Sequence, residues 1–419
     1  MRRVTGTVGW SVLLITAAAR VAAGLPPVPV PPENRITEPK RVLGKILFWD
    51  ERLSSNDTVA CGTCHILGAG GGDPRPARHP GFDGVFDTDD DIVGSLGIPR
   101  ADENNVPCED FLFGWEPQVT GRAAPTMIGA MYAEELFWDG RASTTFYNPE
   151  TGAVSIPSGG ALENQALGPI LNDLEMSHEN RDWPAVTAKL AGVRPLSMAT
   201  DWPPDVEAAL AGGATYSDLF EAAFGDPAMT AERLAFAIAT YERTLVADQT
   251  PWDRFMAGDA DALTRRQKQA WSFYQSSTCF ICHMPPFFTD FTYRNIGLRP
   301  VVEDPGRQAR TGLAEDRGKF KVPTLRNVGL KATFMHTGGI SRMRDVILFY
   351  LGLHGEAFFD NRDPVIVKTN IPAVLIDPLA DFIANGLTDP RVAAETFPFD
   401  RPTLQSERVA RFDEFADCF

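Results

Sequence analysis

Apolar residues recur at helical spacing in several short stretches of the chain, and strict strand-like alternation is scarce. Val42, Leu43, Ile46 and Leu47 share one helix face, as do Leu234, Ile238, Tyr241 and Leu245. Thr264 and Gln267 have the spacing of a capping box, which opens a helix running through Trp271 and Phe273. Met343, Val346, Ile347 and Tyr350 follow the i, i+3, i+4, i+7 rule, so the Tyr350 ring belongs to an inward face. A last helix is predicted with Asp377 as N-cap, Pro378 at its first position and Asn385-Gly386 as its stop. The segments between are rich in turn formers, with 36 Gly and 33 Pro in 419 residues. The pattern predicts a mainly α protein with unusually long loops.

The order of elements occurs twice: a helix, a cysteine pair, long loops and a closing amphipathic helix. Two tandem units follow, residues 24–258 and 259–419, with the boundary near Gly258. At roughly 150 residues per domain, the length suits two such units.

Residues 1–23 read as an export signal. Arg2 and Arg3 precede an apolar run from Val8 to Ala19, and Val21-Ala22-Ala23 offers small residues for cleavage. The run is short for a membrane span, and no other stretch is apolar enough to be one. A periplasmic location is the expectation. The net charge of −16 becomes more negative without Arg2, Arg3 and Arg20. Such a chain is a poor nucleic-acid binder and suits a basic protein partner, such as a small cationic electron carrier. The acidic loop holding Asp87, Asp89 and Asp91 lacks the glycine and the closing glutamate of an EF-hand and reads as a solvated loop.

Four of the six cysteines lie in two Cys-x-x-Cys-His motifs, Cys61, Cys64, His65 and Cys279, Cys282, His283. Two thiols at that spacing can form thioethers with both vinyl groups of one haem, and the next histidine then reaches the iron. Two covalently bound haem c groups are implied, one per unit. Cys108 and Cys418 remain, either as a disulfide or as two free thiols.

Several blocks in order carry a resemblance: LGKILFWDERLSSNDTVACGTCH, APTMIGAMYAEELFWDGRAS, GPILNDLEM, CFICH with a following FTD, and FKVPTLRNVGLKATFMHTGG. Together they resemble the bacterial di-haem cytochrome c peroxidase and MauG superfamily over nearly all of the chain beyond the signal. The resemblance implies two cytochrome c-like haem domains facing each other. The N-terminal haem would react with hydrogen peroxide, and the C-terminal haem would store electrons. It also implies a small donor, a cytochrome c or cupredoxin, or else a protein substrate whose Trp or Tyr side chains are oxidised.

The family's inter-haem tryptophan falls on Trp138, and its distal Gln, Pro and Glu fall on Gln165, Pro169 and Glu175. Glu175 would handle protons during O–O cleavage. His336 matches a histidine of the family's F-H-D-G block, here MHTG. The second haem's distal ligand departs from the peroxidase pattern. Where methionine is usual the chain has Tyr350, as in MauG-type enzymes, with Met343 or Met335 as rival ligands. A phenolate favours ferric and higher iron states. His79 offers a switchable distal ligand to the first iron or a plain loop histidine. The family's interdomain calcium uses an asparagine at the position of Ala123, which puts calcium in doubt here. Ser277 replaces a surface-relay tryptophan of the MauG branch. An electron carrier without catalysis is the remaining reading, and the Gln165, Pro169 and Glu175 set argues against it.

Overall fold

In the computed structural model of the protein, residues 24–75, 77–354 and 362–408 are described. Residues 1–23, read above as an export signal, and Cys418 lie outside them. Helices dominate, and the described strands form only four two-stranded antiparallel sheets. Their strands are β1 (Ala77–His79) with β2 (Ile92–Gly94), β3 (Leu96–Pro99) with β4 (Pro117–Val119), β5 (Phe146–Tyr147) with β6 (Val154–Ile156), and β7 (Tyr293–Arg294) with β8 (Phe320–Lys321). Among the described residues no helix is long and apolar enough to cross a membrane.

Eight helices place the functional residues. They are α1 (Glu38–Trp49), α2 (Cys61–Cys64), α3 (Ala161–Leu167), α4 (Ala231–Glu242), α5 (Arg265–Tyr274), α6 (Cys279–Cys282), α7 (Met343–Tyr350) and α8 (Ala373–Asp381). α1 crosses α4 so closely that a Cβ on Gly44 would lie 1.8 Å from the Ala237 carbonyl oxygen. The Trp49 indole donates to the Tyr241 hydroxyl across this crossing at 3.0 Å. Gly62, inside the first cysteine pair, rests on the face of Trp49, where a Cβ would come within 2.2 Å. The short α2 turn is thereby seated on the helix crossing. In the second unit α5 starts at the Thr264–Gln267 capping box and packs on α8 through Trp271, Tyr274, Leu379 and Phe382.

Two departures from the sequence reading concern helix ends. α8 begins at Ala373, so Asp377 lies mid-helix instead of capping it, and Pro378 is inside the helix. Ile376, Leu379, Phe382 and Ile383 face the core, and this apolar face, continued by a π-helical turn from Phe382 to Gly386, outweighs the local proline signal. Asp377 instead pairs with Arg344 at 2.8 Å. α4 stops at Glu242, and Leu245 reaches the same core from the turn beyond it.

The two hydrophobic cores interleave along the chain. Trp252, before Gly258, packs in the second core, whereas Val392, Phe399 and Leu404 return to the first. The stretch from Pro125 to Ala142 and that from Pro323 to Ile340 align without a gap. Both contain a left-handed residue at the matching place, Gly129 or Asn327, then Phe137 or Met335, then Gly140 or Gly338. Each closes with a bridge, Leu136 to Ala142 and Phe334 to Ile340. Trp138 and His336 are therefore counterparts.

Candidate active site: two linked cavities

The first cavity, about 660 Å³, is lined by Cys61, Cys64 and His65 together with Gln165, Pro169 and Glu175. The second, about 170 Å³, is lined by Cys279, Cys282, His283 and Tyr350, and also by Met335, Met343 and His336. Residues that sequence reasoning spread over more than a hundred positions thus meet around two spaces. Trp138 and the two Pro-Thr pairs, Pro125-Thr126 and Pro323-Thr324, line both. The indole stands in the wall that the cavities share.

Both histidines are held in the same way. His65 Nδ1 lies 3.1 Å from the Gly71 carbonyl oxygen and His283 Nδ1 lies 3.0 Å from that of Phe288. A carbonyl only accepts, so Nδ1 carries the proton in each and Nε2 keeps its lone pair. Burial lowers both imidazole pKa values, which holds the rings neutral. Burial also raises the Cys61 and Cys64 thiols, Cys64 to about 12, so neither is a thiolate at neutral pH. Among the described residues no cluster of three or more His, Cys, Asp or Glu side chains is arranged to hold a bare metal ion. The donor set fits a haem instead: a thiol pair at the vinyl spacing, an adjacent neutral imidazole with Nε2 free, and a largely apolar wall.

Glu175 follows a tight turn in which its amide donates to Asn172, at 3.2 Å from the side-chain oxygen. Burial raises its carboxyl pKa, and the Arg141 charge opposes that rise. Arg141 stacks over the Phe137 ring at 3.6 Å and lines the same cavity. Sequence reasoning passed it over, although it stands in the FWDGR block beside Trp138. Glu242 was also missed. It lines the first cavity from α4, and burial pushes its carboxyl up to about 8.

The junction between these two matching stretches is reciprocal. The Ala123 amide donates to the His336 carbonyl at 2.8 Å, and the Lys321 amide donates to the Trp138 carbonyl at 2.8 Å. Trp138 Nε1 donates to the Ala123 carbonyl at 2.7 Å, which engages a carbonyl at the family's calcium position. Beside it the Arg122 guanidinium binds Asp304 through two bonds of 2.7 Å and Asp139 through one of 2.8 Å. The Arg122 guanidinium occupies this junction, where Ala123 supplies no side-chain oxygen for a calcium ion. His336 stacks on Phe320 with ring centres 3.6 Å apart, and burial pushes its pKa down to about 3.

His79 ends β1 and is not among the residues lining the first cavity. Its Nδ1 accepts from the Gly81 amide at 3.1 Å, its ring meets Phe113 edge-on, and its Nε2 lies behind Gly121. Ser277 bonds the Tyr274 carbonyl at 2.8 Å. The acidic loop is tied to itself, with Asp90 accepting from the amides of Phe82 and Asp83 and Asp91 from that of Asp87.

Comparisons with known proteins agree with this arrangement. Residues 38–261 match the family model described as di-haem cytochrome c peroxidase. The methylamine utilization protein MauG of Methylophilus methylotrophus is 28% identical over 349 residues, covering 80% of this chain and 82% of that one. The cytochrome c551 peroxidase of Pseudomonas aeruginosa is 30% identical over 322 residues, covering 74% of this chain and 71% of that one. Among solved structures, a MauG-like protein associated with microbial copper homeostasis superposes with a TM-score of 0.65 at 22% identity, covering 90% of this chain and 96% of that one. The chain belongs to the di-haem cytochrome c peroxidase family.

Proposed function

We propose that the protein is an exported peroxidase that carries two covalently bound haem c groups, one in each tandem cytochrome c-like unit, and reduces hydrogen peroxide with electrons from a small periplasmic donor. The single observation that carries this reading is the meeting of His65, Gln165, Pro169 and Glu175 around one cavity, with Trp138 in the wall shared with the second. His65 and His283 would hold the two irons, and Tyr350 would serve as a further ligand to the second. When bound, the haems supply an iron centre for peroxide and two stores for oxidising equivalents.

The chain's own residues then divide the work. Glu175, as carboxylate, takes a proton from the incoming peroxide and returns it to the departing oxygen. The Gln165 amide holds the peroxide by hydrogen bonding. Pro169 lines the pocket without an N–H to compete for it. Trp138 gives electrons a path through the wall between the cavities. Overall, one peroxide, two protons and two electrons yield two waters.

A second reading keeps this chemistry and replaces the donor by a protein whose Trp or Tyr side chains are oxidised. Tyr350 at the end of α7, lining the cavity of Cys279 and Cys282, favours it. The test is peroxide consumption by the mature holoprotein with a reduced cytochrome or cupredoxin. Catalytic turnover supports the first reading. Stoichiometric consumption with a mass change on a co-expressed protein supports the second.

A further inference from the structure

Lys331 is a cation in the wall of the second cavity with no carboxylate partner among the described residues. It follows the short 3-10 turn Val328–Leu330, which its own amide closes on the Val328 carbonyl at 3.1 Å. The turn is anchored where the Asn327 amide donates to the Leu387 carbonyl at 2.9 Å. From there the side chain reaches across the junction, and its Nζ donates to the Ala124 carbonyl at 2.9 Å. Ala124 adjoins Pro125-Thr126, the pair that lines both cavities. An ammonium has three N–H donors, and among the described residues this neutral carbonyl takes one of them.

The other cations lining this cavity are balanced. Arg294 pairs with Asp363 at 2.9 Å and with Asp290 at 3.4 Å. Arg326 binds Asp253 through bonds of 2.7 and 2.8 Å. Lys321 has the Glu135 charge beside it. No such charge offsets Lys331, and burial alone pushes its ammonium down to about 8, which leaves it mostly charged at neutral pH. A cation held away from water is costly unless an anion joins it. The thiol pair, neutral imidazole and apolar wall around this space fit a haem, and a haem brings two propionate carboxylates. The uncompensated charge and the implied cofactor are opposite in sign and belong to one cavity.

We propose that Lys331 is the counter-ion of a haem propionate at the second cavity, and that its charge sets the reduction potential of that haem. The inference deepens the two-haem reading and rests on it. Reduction adds an electron, so a positive charge beside the macrocycle favours the ferrous state. A phenolate from Tyr350 pulls the potential the other way, and the two residues oppose each other on one iron. Lys331 acts through the propionate and is a positioning residue. It is itself fixed at the junction, because its Ala124 partner adjoins the Ala123 carbonyl that holds the Trp138 indole.

The test is a spectroelectrochemical titration of the holoprotein, with the two haems resolved by their spectra, alongside resonance Raman of the propionate bending bands. Lys331→Gln keeps an N–H for Ala124 and removes the charge. It should favour the ferric state of the second haem at least tenfold, a fall of about 59 mV in midpoint, and shift that haem's propionate band. The first haem should move by less than half as much. Lys331→Arg keeps the charge and should hold both readouts near wild type. A midpoint or a propionate band unchanged in Lys331→Gln overturns the proposal, as does an equal fall in Lys331→Arg. Should Lys331→Gln fail to fold, the wild type decides. Its second-haem propionate band should shift on deuteration of the ammonium, and an unshifted band overturns the proposal. Haem content by intact mass separates the two readings. A wild type without two haems defeats the two-haem reading, whereas unchanged spectra in a two-haem variant defeat the Lys331 assignment alone.

Discussion

Trp138 and His336 occupy matching places in two stretches of like backbone and face each other edge-on, their ring centres 6.2 Å apart. The backbone bonds around them are exchanged in pairs, Ala123 to His336 and Lys321 to Trp138. This reciprocity is what an isologous contact between two copies produces, here within one chain. It sets one indole between the cavities, while its imidazole counterpart lies against Phe320.

The first expectation concerns that indole. Trp138→Phe keeps an aromatic filler and removes the N–H donated to Ala123. Electron exchange between the haems should slow by on the order of tenfold, equivalent to about 1.4 kcal/mol of barrier. Rapid-mixing spectroscopy with peroxide reads it directly. His336→Phe should slow it far less.

Proton handling is separable by pH. Burial raises the Glu175 carboxyl, and in the proposed mechanism its basic form is the active one. Peroxide reactivity should therefore fall as pH drops through that raised value. His336, pushed down to about 3, stays neutral over the same range and contributes no limb. Glu175→Gln should lower the rate by about 10²–10⁴-fold and abolish the acid limb. A limb that persists in Glu175→Gln assigns it to another group, Glu242 first.

Arg122 ties Asp139 to Asp304, 165 residues apart in the chain. Arg122→Met leaves two carboxylates facing each other, although Asp139 keeps Arg141 at 3.1 Å. All three charges are partly solvated, so the loss should be about 1–3 kcal/mol, read as a lower midpoint in denaturant unfolding. Chelation by EGTA should leave the activity and stability of the wild type unchanged. A calcium-dependent gain would contradict the tethered-cation reading.

Tyr350 is the proposed ligand of the second haem, at the position where the family resemblance implies methionine. Tyr350→Met should raise the reduction potential of the second haem and change its low-spin ferric resonance, leaving the first haem's signal in place. If Tyr350→Phe alters neither, Met335 or Met343 is the ligand, since both line the same cavity.

Much of this was legible in the chain because it depends on local spacing. The cysteine pairs, the α1 and α4 faces and the Thr264–Gln267 cap are each set within a few residues. The α8 start was misread for the opposite reason: Asp377-Pro378 is a good local signal, and long-range burial of Ile376 and Leu379 overrode it. The roles of Arg122 and Arg141 depend on partners brought close by loops whose course no periodicity encodes. The reciprocal junction was hidden because its two stretches share backbone conformation more than residue identity, with glycine at 129 answered by asparagine at 327.

The proposed function rests on two porphyrins held covalently, one at each cysteine pair. The most direct measurement is the intact mass of mature protein from a host able to mature c-type cytochromes, compared with Cys61→Ser/Cys64→Ser and Cys279→Ser/Cys282→Ser. Wild type should carry the mass of two haems after denaturation, and each double variant that of one. A wild type carrying one haem or none, or a double variant that still carries two, would contradict the assignment.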